Sequence, residues 1–257
     1  MQARLRGPLV FGGLVLLAGC SAAPVIPLVP TNRVVLAELF TWQRCPYCPH
    51  AARALDSLTR EFSDSVVVIA YHRPIAGDTL SPGYIEFRRA LYYESGGEPA
   101  TVFDGGRVTR TPGPEYNYET FRNQILGARS VTPKAQLNVS VATDGSGKVT
   151  VTVKASGVDS TPTESLRLFV AVFEDSIRER LAGATDTVFN SVARMLLPDS
   201  SGCPLRLFRA ETTSVSQEFT VAAPWKLEHV GVAAWVQDMN SRRVLQASVQ
   251  RRIRPGR

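Results

Sequence analysis

Cys45-Pro46-Tyr47-Cys48 is the segment whose residue types and spacing amount most directly to chemistry. It follows the apolar run Val34 to Thr41 and precedes a stretch in which Ala51, Ala52, Leu55, Leu58 and Phe62 recur at helical spacing, with Pro46 suited to a first helical position. Strand, Cys-x-x-Cys and helix in that order place Cys45 at a helix N-terminus, where the macrodipole and unpaired backbone N–H groups stabilise a thiolate. Disulfide exchange needs one exposed thiolate to attack and a second thiol close enough to resolve the mixed disulfide. The spacing therefore assigns Cys45 as nucleophile and Cys48 as resolving thiol. Arg44 adds positive charge beside the attacking sulfur, and no acid lies between the cysteines. Two quieter readings stand beside this one: an inert structural disulfide, and half of a zinc site completed by His50 or Cys203. There is no second Cys-x-x-Cys and no His-rich segment, so no metal and no other cofactor is expected.

His50, two residues past Cys48, and His72, ending the strand-like run from Val66, are auxiliary candidates, since imidazole shuttles protons near neutral pH. A hydrogen-bonded or solvated histidine is the more ordinary reading of both positions. Cys203, in Ser201-Gly202-Cys203-Pro204, reads as a buried or incidental thiol, or as a bridge to another molecule if exposed.

The elements that must position these residues alternate at first. Val34 to Thr41 and Val66 to Tyr71 read as strands buried on both faces. Helical patterns cover the segment after the cysteines, about 82–94, and about 116–128. Ala100 to Phe103 with Asp104-Gly105-Gly106 and a short return strand form a hairpin. Beyond Pro133 the period becomes two: Leu137 to Val141 and Val149 to Val153 flank Asp144-Gly145-Ser146-Gly147, and strands follow at about 166–173, 188–196, 213–221, 230–237 and 244–249. Seven short strands with turn signals predict an immunoglobulin-like β-sandwich.

The N-terminus has Arg4 and Arg6, a short apolar stretch from Pro8 to Leu17, and then Leu17-Ala18-Gly19-Cys20. The apolar stretch is too short to span a bilayer and reads as a secretory signal. Small residues before a cysteine resemble the lipobox of bacterial lipoproteins, which implies lipidation of Cys20. Ser21 in place of Asp then implies the outer membrane, facing the periplasm. Residues 1–19 are thus expected to be a signal peptide, 20–32 a proline-punctuated tether, 33–130 the first domain and 133–253 the sandwich. Removing Arg4 and Arg6 lowers the basic count from 29 to 27 against 23 acids, leaving about +4. Much of that excess sits in Arg251, Arg252, Arg254 and Arg257 at the tail, with no nucleic-acid motif beside it.

Val34 to Phe103 resembles a thioredoxin-like domain, in which a cis-proline opposes the active-site cysteines. Pro99 takes that place, and with Glu98 it would line the substrate groove. The chain is more closely similar to the Omp-twenty-eight-type outer-membrane lipoproteins, through Glu38-Leu39-Phe40-Thr41 before the cysteines, Cys48-Pro49 with an Ala-rich helix, Asn190 to Arg194 and Leu197-Pro198-Asp199. The expected fold is therefore an α/β thioredoxin-like domain, a mixed sheet flanked by helices, followed by an all-β immunoglobulin-like sandwich. Departures qualify what carries over. Thioredoxins often hold a buried carboxylate where this chain has Leu39. Glu38 lies one place earlier and points to the opposite face, because strand side chains alternate. Glu98 puts a carboxylate before the proline, favouring basic peptides and opposing a thiolate at Cys45.

The function expected from these residues is lipid-anchored thiol–disulfide exchange, with cysteine-bearing exported proteins or a redox protein as partners. The alternative is an anchored binding or assembly protein whose cysteine-bearing part is a non-catalytic platform.

Overall fold

The computed structural model describes residues 32–111, 113–158, 165–184, 186–209 and 211–254. Cys20, the signal segment and the tether before Asn32 lie outside them.

In chain order the elements are β1 (Val35–Thr41), α1 (Cys48–Phe62), β2 (Val66–His72), α2 (Ile85–Ala90), β3 (Ala100–Phe103), β4 (Val108–Thr109) and α3 (Asn117–Arg129). Strands then follow one another: β5 (Ala135–Thr143), β6 (Lys148–Gly157), β7 (Leu166–Glu174), β8 (Ile177–Arg178), β9 (Val188–Phe189), β10 (Val192–Leu197), β11 (Cys203–Pro204), β12 (Thr213–Thr220), β13 (Val230–Asp238) and β14 (Val244–Gln250). Each forms for the local reason its pattern suggests. α1 buries Ala51, Ala54, Leu55 and Leu58 along one stripe, and β6 alternates buried valines with half-buried or exposed polar residues.

Strand pairing does not respect the division at 130–133. A nine-stranded mixed sheet runs in the order β14-β13-β7-β10-β2-β1-β3-β4, with β11 also on β7. β10 lies parallel to β2, pairing Val192 with Ala70, and the Ala70 N–H donates to the Ser191 carbonyl at 2.7 Å. Only β12-β6-β5 form an opposing sheet, and β8-β9 form a small hairpin. A thioredoxin-like α/β domain followed by a separate immunoglobulin-like sandwich is therefore not the architecture. Among the described residues three α-helices stand against fourteen strands, and one sheet draws strands from both halves. The physical reason is the outer edge of β2, whose unpaired N–H and C=O groups must find partners. They find β10, so strands that alone would close a sandwich extend the first sheet instead.

The large sheet buries both of its faces in three cores. Val35, Ala37 and Leu39 of β1, with Val66 and Val68 of β2, meet Leu55 and Leu58 of α1 and Phe121 and Ile125 of α3. On the other face Leu36, Phe40, Val67 and Ile69 meet Ile85 of α2 together with Phe169, Phe173 and Trp235. The reverse side of β7 and β13, through Val170, Val172 and Val232, packs on Val149, Val151 and Val153 of β6.

A charged network crosses the second of these cores. Arg88 of α2 is fully buried and bonds both oxygens of Glu38 on β1, at 2.6 and 2.9 Å. It also donates to Tyr92 Oη at 2.8 Å and to Gln237 Oε1 on β13 at 2.7 Å. Its guanidinium lies 4.8 Å from the ring centre of Phe169 and 5.2 Å from that of Trp235. A second tie is the β3–β4 turn. Gly105, at φ +72°, is so close to the Arg242 carbonyl that a Cβ there would sit 1.7 Å from its oxygen, so only glycine fits.

Breaking this ion pair from one side leaves a buried charge without compensation. Arg88→Met alone is expected to lower the unfolding free energy by about 3–5 kcal/mol in urea titration, and the double change Arg88→Met/Glu38→Leu to recover most of that loss. Equal losses for the single and double variants would show that packing, not charge pairing, carries the effect.

Candidate functional site

β1 ends at Thr41, and the chain turns at once, the Cys45 N–H donating to the Trp42 carbonyl at 3.1 Å. α1 then begins at Cys48 with a proline in its first turn. The Cys48 N–H points at Cys45 Sγ, 3.1 Å away, so the helix start does direct a donor at the first sulfur. The two cysteines are joined as a disulfide, with Cα atoms 5.4 Å apart.

What the bridge does not offer is an open face. Cys45 is 1% exposed and Cys48 2%, whereas Tyr47 between them is 64% exposed. The intervening peptide is displayed and the sulfurs are covered. An exposed attacking sulfur, the condition that exchange chemistry sets, is not presented in this fold.

The Glu98–Pro99 peptide is cis, and the Glu98 carbonyl oxygen lies 3.7 Å from Cys45 Sγ. The Glu98 backbone, immediately before Pro99, therefore lies against Cys45. The Glu98 carboxylate does not face them as a free charge: Arg73 Nη1 reaches both its oxygens at 3.3 Å, Arg89 Nε lies at 3.4 Å and Tyr93 Oη at 3.2 Å. With two guanidiniums on it, that carboxylate is compensated and unavailable to a basic peptide.

The auxiliary residues scatter. Arg44 is exposed and donates from Nε to the Ala182 carbonyl at 2.8 Å. His50 is exposed on the first turn of α1. Glu38 lies on the opposite face of β1, committed to Arg88. His72 is buried, its Nδ1 2.8 Å from Asp78 Oδ2, with its ring edge-on to Phe189. Cys203 sits half-buried on β11 beside the core between the large sheet and β12-β6-β5; burial, with help from Asp199, pushes its thiol pKa up, and Gln217 Nε2 lies 3.5 Å from its sulfur. Among the described residues no group of three His, Cys, Asp or Glu side chains is arranged to hold a metal ion.

One neighbour went unread in the sequence. A cavity of about 210 Å³ adjoins Cys48, lined also by Leu39, His72, Phe189, Asn190 and Asp56. Asp56 accepts from Asn190 Nδ2 at 2.8 Å, and burial pushes its carboxyl above the ordinary range despite that bond. The signal was present: Cys48, Ala52 and Asp56 are four apart and share one helix face. At about 210 Å³ the cavity falls below the usual range of small-molecule sites.

No protein-family model matches the chain, and no curated protein sequence does. Among solved structures, HBP35 of Porphyromonas gingivalis superposes with a TM-score of 0.69 at 19% identity, over 87% of this chain and 76% of that one. A protein of Agrobacterium tumefaciens from a structural-genomics programme gives 0.54 at 15%, over 85% and 95%. A domain of the outer membrane lipoprotein Omp28 of P. gingivalis gives 0.38 at 16%, over 48% and 99%, too low a score to carry argument. The first two likenesses show a shared fold and nothing finer.

The raised Asp56 pKa has a consequence for stability. A carboxyl whose folded-state pKa lies above its unfolded value contributes fully below the unfolded pKa, and that contribution is lost as pH rises through the folded pKa. Asp56→Asn keeps an acceptor for Asn190 and removes the titration. The variant is expected to melt above the native chain at pH 7, with the gap closing on acidification through the carboxylate range. A variant less stable at pH 7 would contradict the assignment.

Proposed function

We propose that this chain is a lipid-anchored protein of the cell envelope with a binding or assembly role, in which the Cys45–Cys48 bridge is structural. The observation that carries the reading is the burial of both bridge residues beneath an exposed Pro46-Tyr47. A partner thiolate must approach a disulfide sulfur to attack it, and here the approach is closed. The bridge joins the turn after β1 to the first residue of α1, so it fixes the helix on the sheet. Lipid anchoring at the outer membrane rests on Leu17-Ala18-Gly19-Cys20 and Ser21.

Thiol–disulfide exchange with exported proteins is the second reading. A specific observation favours it: the Cys48 N–H and the Glu98 carbonyl both lie against Cys45 Sγ.

The two readings part on reactivity. Under native conditions a few millimolar dithiothreitol is expected to leave the bridge intact by mass spectrometry after alkylation, in a Cys203→Ser background. The same protein is expected not to accelerate insulin reduction, and both cysteines to label after unfolding in guanidinium. Native-state reduction with insulin turnover, or a partner trapped on Cys45 by Cys48→Ser in whole cells, would overturn the structural reading in favour of exchange. Separately, Cys20→Ser is expected to move the protein from the membrane fraction to the soluble one. Retention in the membrane fraction would remove the anchor from the account.

A further inference from the structure

An open cavity of about 440 Å³ lies between the end of α3 and the β13–β14 turn. Its size falls within the usual range of small-molecule sites. Phe103, Leu166 and Val244, all buried, and Leu245 give it an apolar floor.

Its charges are unevenly matched. Arg33 is paired with Asp104 and donates to the Val244 and Leu245 carbonyls, which neutralises that acid. Asp238 accepts from Ser165 Oγ, Ser241 Oγ and the Asn240 N–H; partial burial pushes its pKa up, and these bonds outweigh it and hold the group below the ordinary range. Both acids in the wall are therefore already satisfied. Lys134 and Arg243 line the same cavity, and among the described residues neither side chain has an ion pair or hydrogen bond. An apolar floor with uncompensated cations at its walls is complementary to one kind of molecule.

We propose that this cavity binds a small amphipathic anion, an apolar body carrying a single carboxylate, sulfonate or phosphate. The apolar part displaces water from Phe103, Leu166 and Leu245, and the anionic end meets Lys134 and Arg243. The site lies at the start of β1, beside Arg33, whereas the cysteine pair follows its end. Seven strand residues at about 3.3 Å each keep them roughly 20 Å apart. Occupancy here and reactivity of the bridge are thus read independently, and loss of either inference leaves the other standing.

The test uses the full chain and two probes, 1-anilinonaphthalene-8-sulfonate by fluorescence and decanoate as its competitor, with decanol as the uncharged control. Saturable one-to-one binding is expected, with decanoate displacing the dye and decanol doing so at least several-fold less well. Lys134→Gln/Arg243→Gln, both at exposed positions, is expected to weaken decanoate roughly three- to tenfold and to flatten its salt dependence. Leu245→Trp, which fills the floor, is expected to abolish binding, with native near-ultraviolet circular dichroism confirming the fold. Absence of saturable binding to the folded chain would overturn the proposal. So would decanol competing as well as decanoate, or unchanged affinity in the double glutamine variant.

Discussion

Arg88 carries a full positive charge in the interior, and elements from both halves of the chain are gathered around it. Burial works against the guanidinium, and the adjacent Glu38 carboxylate, with Tyr92 and Tyr71 beside it, more than offsets that, holding its pKa above the usual arginine value. The partners come from both ends of the chain: Glu38 from β1, Tyr92 from just past α2, Gln237 from β13, and the faces of Phe169 and Trp235 from β7 and β13. Without β7 and β13, α2 would hold a charge against an open apolar sheet; without α2, Glu38 would be stranded. A buried pair of this kind is weak evidence for added stability. It ties one arrangement together instead, since Arg88 Nε and Nη2 find their acceptors on β1, on β13 and on Tyr92 past α2.

Much of the local structure was legible in the sequence, because local structure follows local pattern. The amphipathic stripe of α1, the alternation in β5 and β6 and the Asp104-Gly105 turn all appear where period and turn chemistry put them. So does Glu38 on the face away from the cysteines, a result of strand alternation alone. What period cannot convey is which strand pairs with which. Val192 to Leu197 has the same apolar character whether it closes a sandwich or extends a sheet along β2, and some 120 residues separate the Val192 and Ala70 that meet. Hence the fold class expected from sequence was wrong while many of its strands were in place.

The same limit governed the site. Nothing local announces that Arg88, near the end of a short helix, turns inward. The Cys-x-x-Cys spacing correctly implied a helix start beside the first sulfur, but exposure belongs to the tertiary structure. Pro46 and Tyr47 face solvent while the two cysteines that flank them do not. Glu98, a carboxylate that looked free to meet substrate, is held by Arg73 and Arg89 from a preceding loop and helix. The large sheet thus supports two separate features: a covered bridge past one end of β1, and an open apolar cavity with cationic walls at the other.

Residues on either side of 130–133 are joined by the continuous sheet and by the Arg88 network. Native-state hydrogen exchange read amide by amide against denaturant tests this most directly. The account predicts that the β1 and β2 amides and those of β7 and β13 lose protection together, with one common opening free energy and one denaturant slope. Separate openings, with β1 and β2 exchanging while β7 and β13 stay protected, would contradict it.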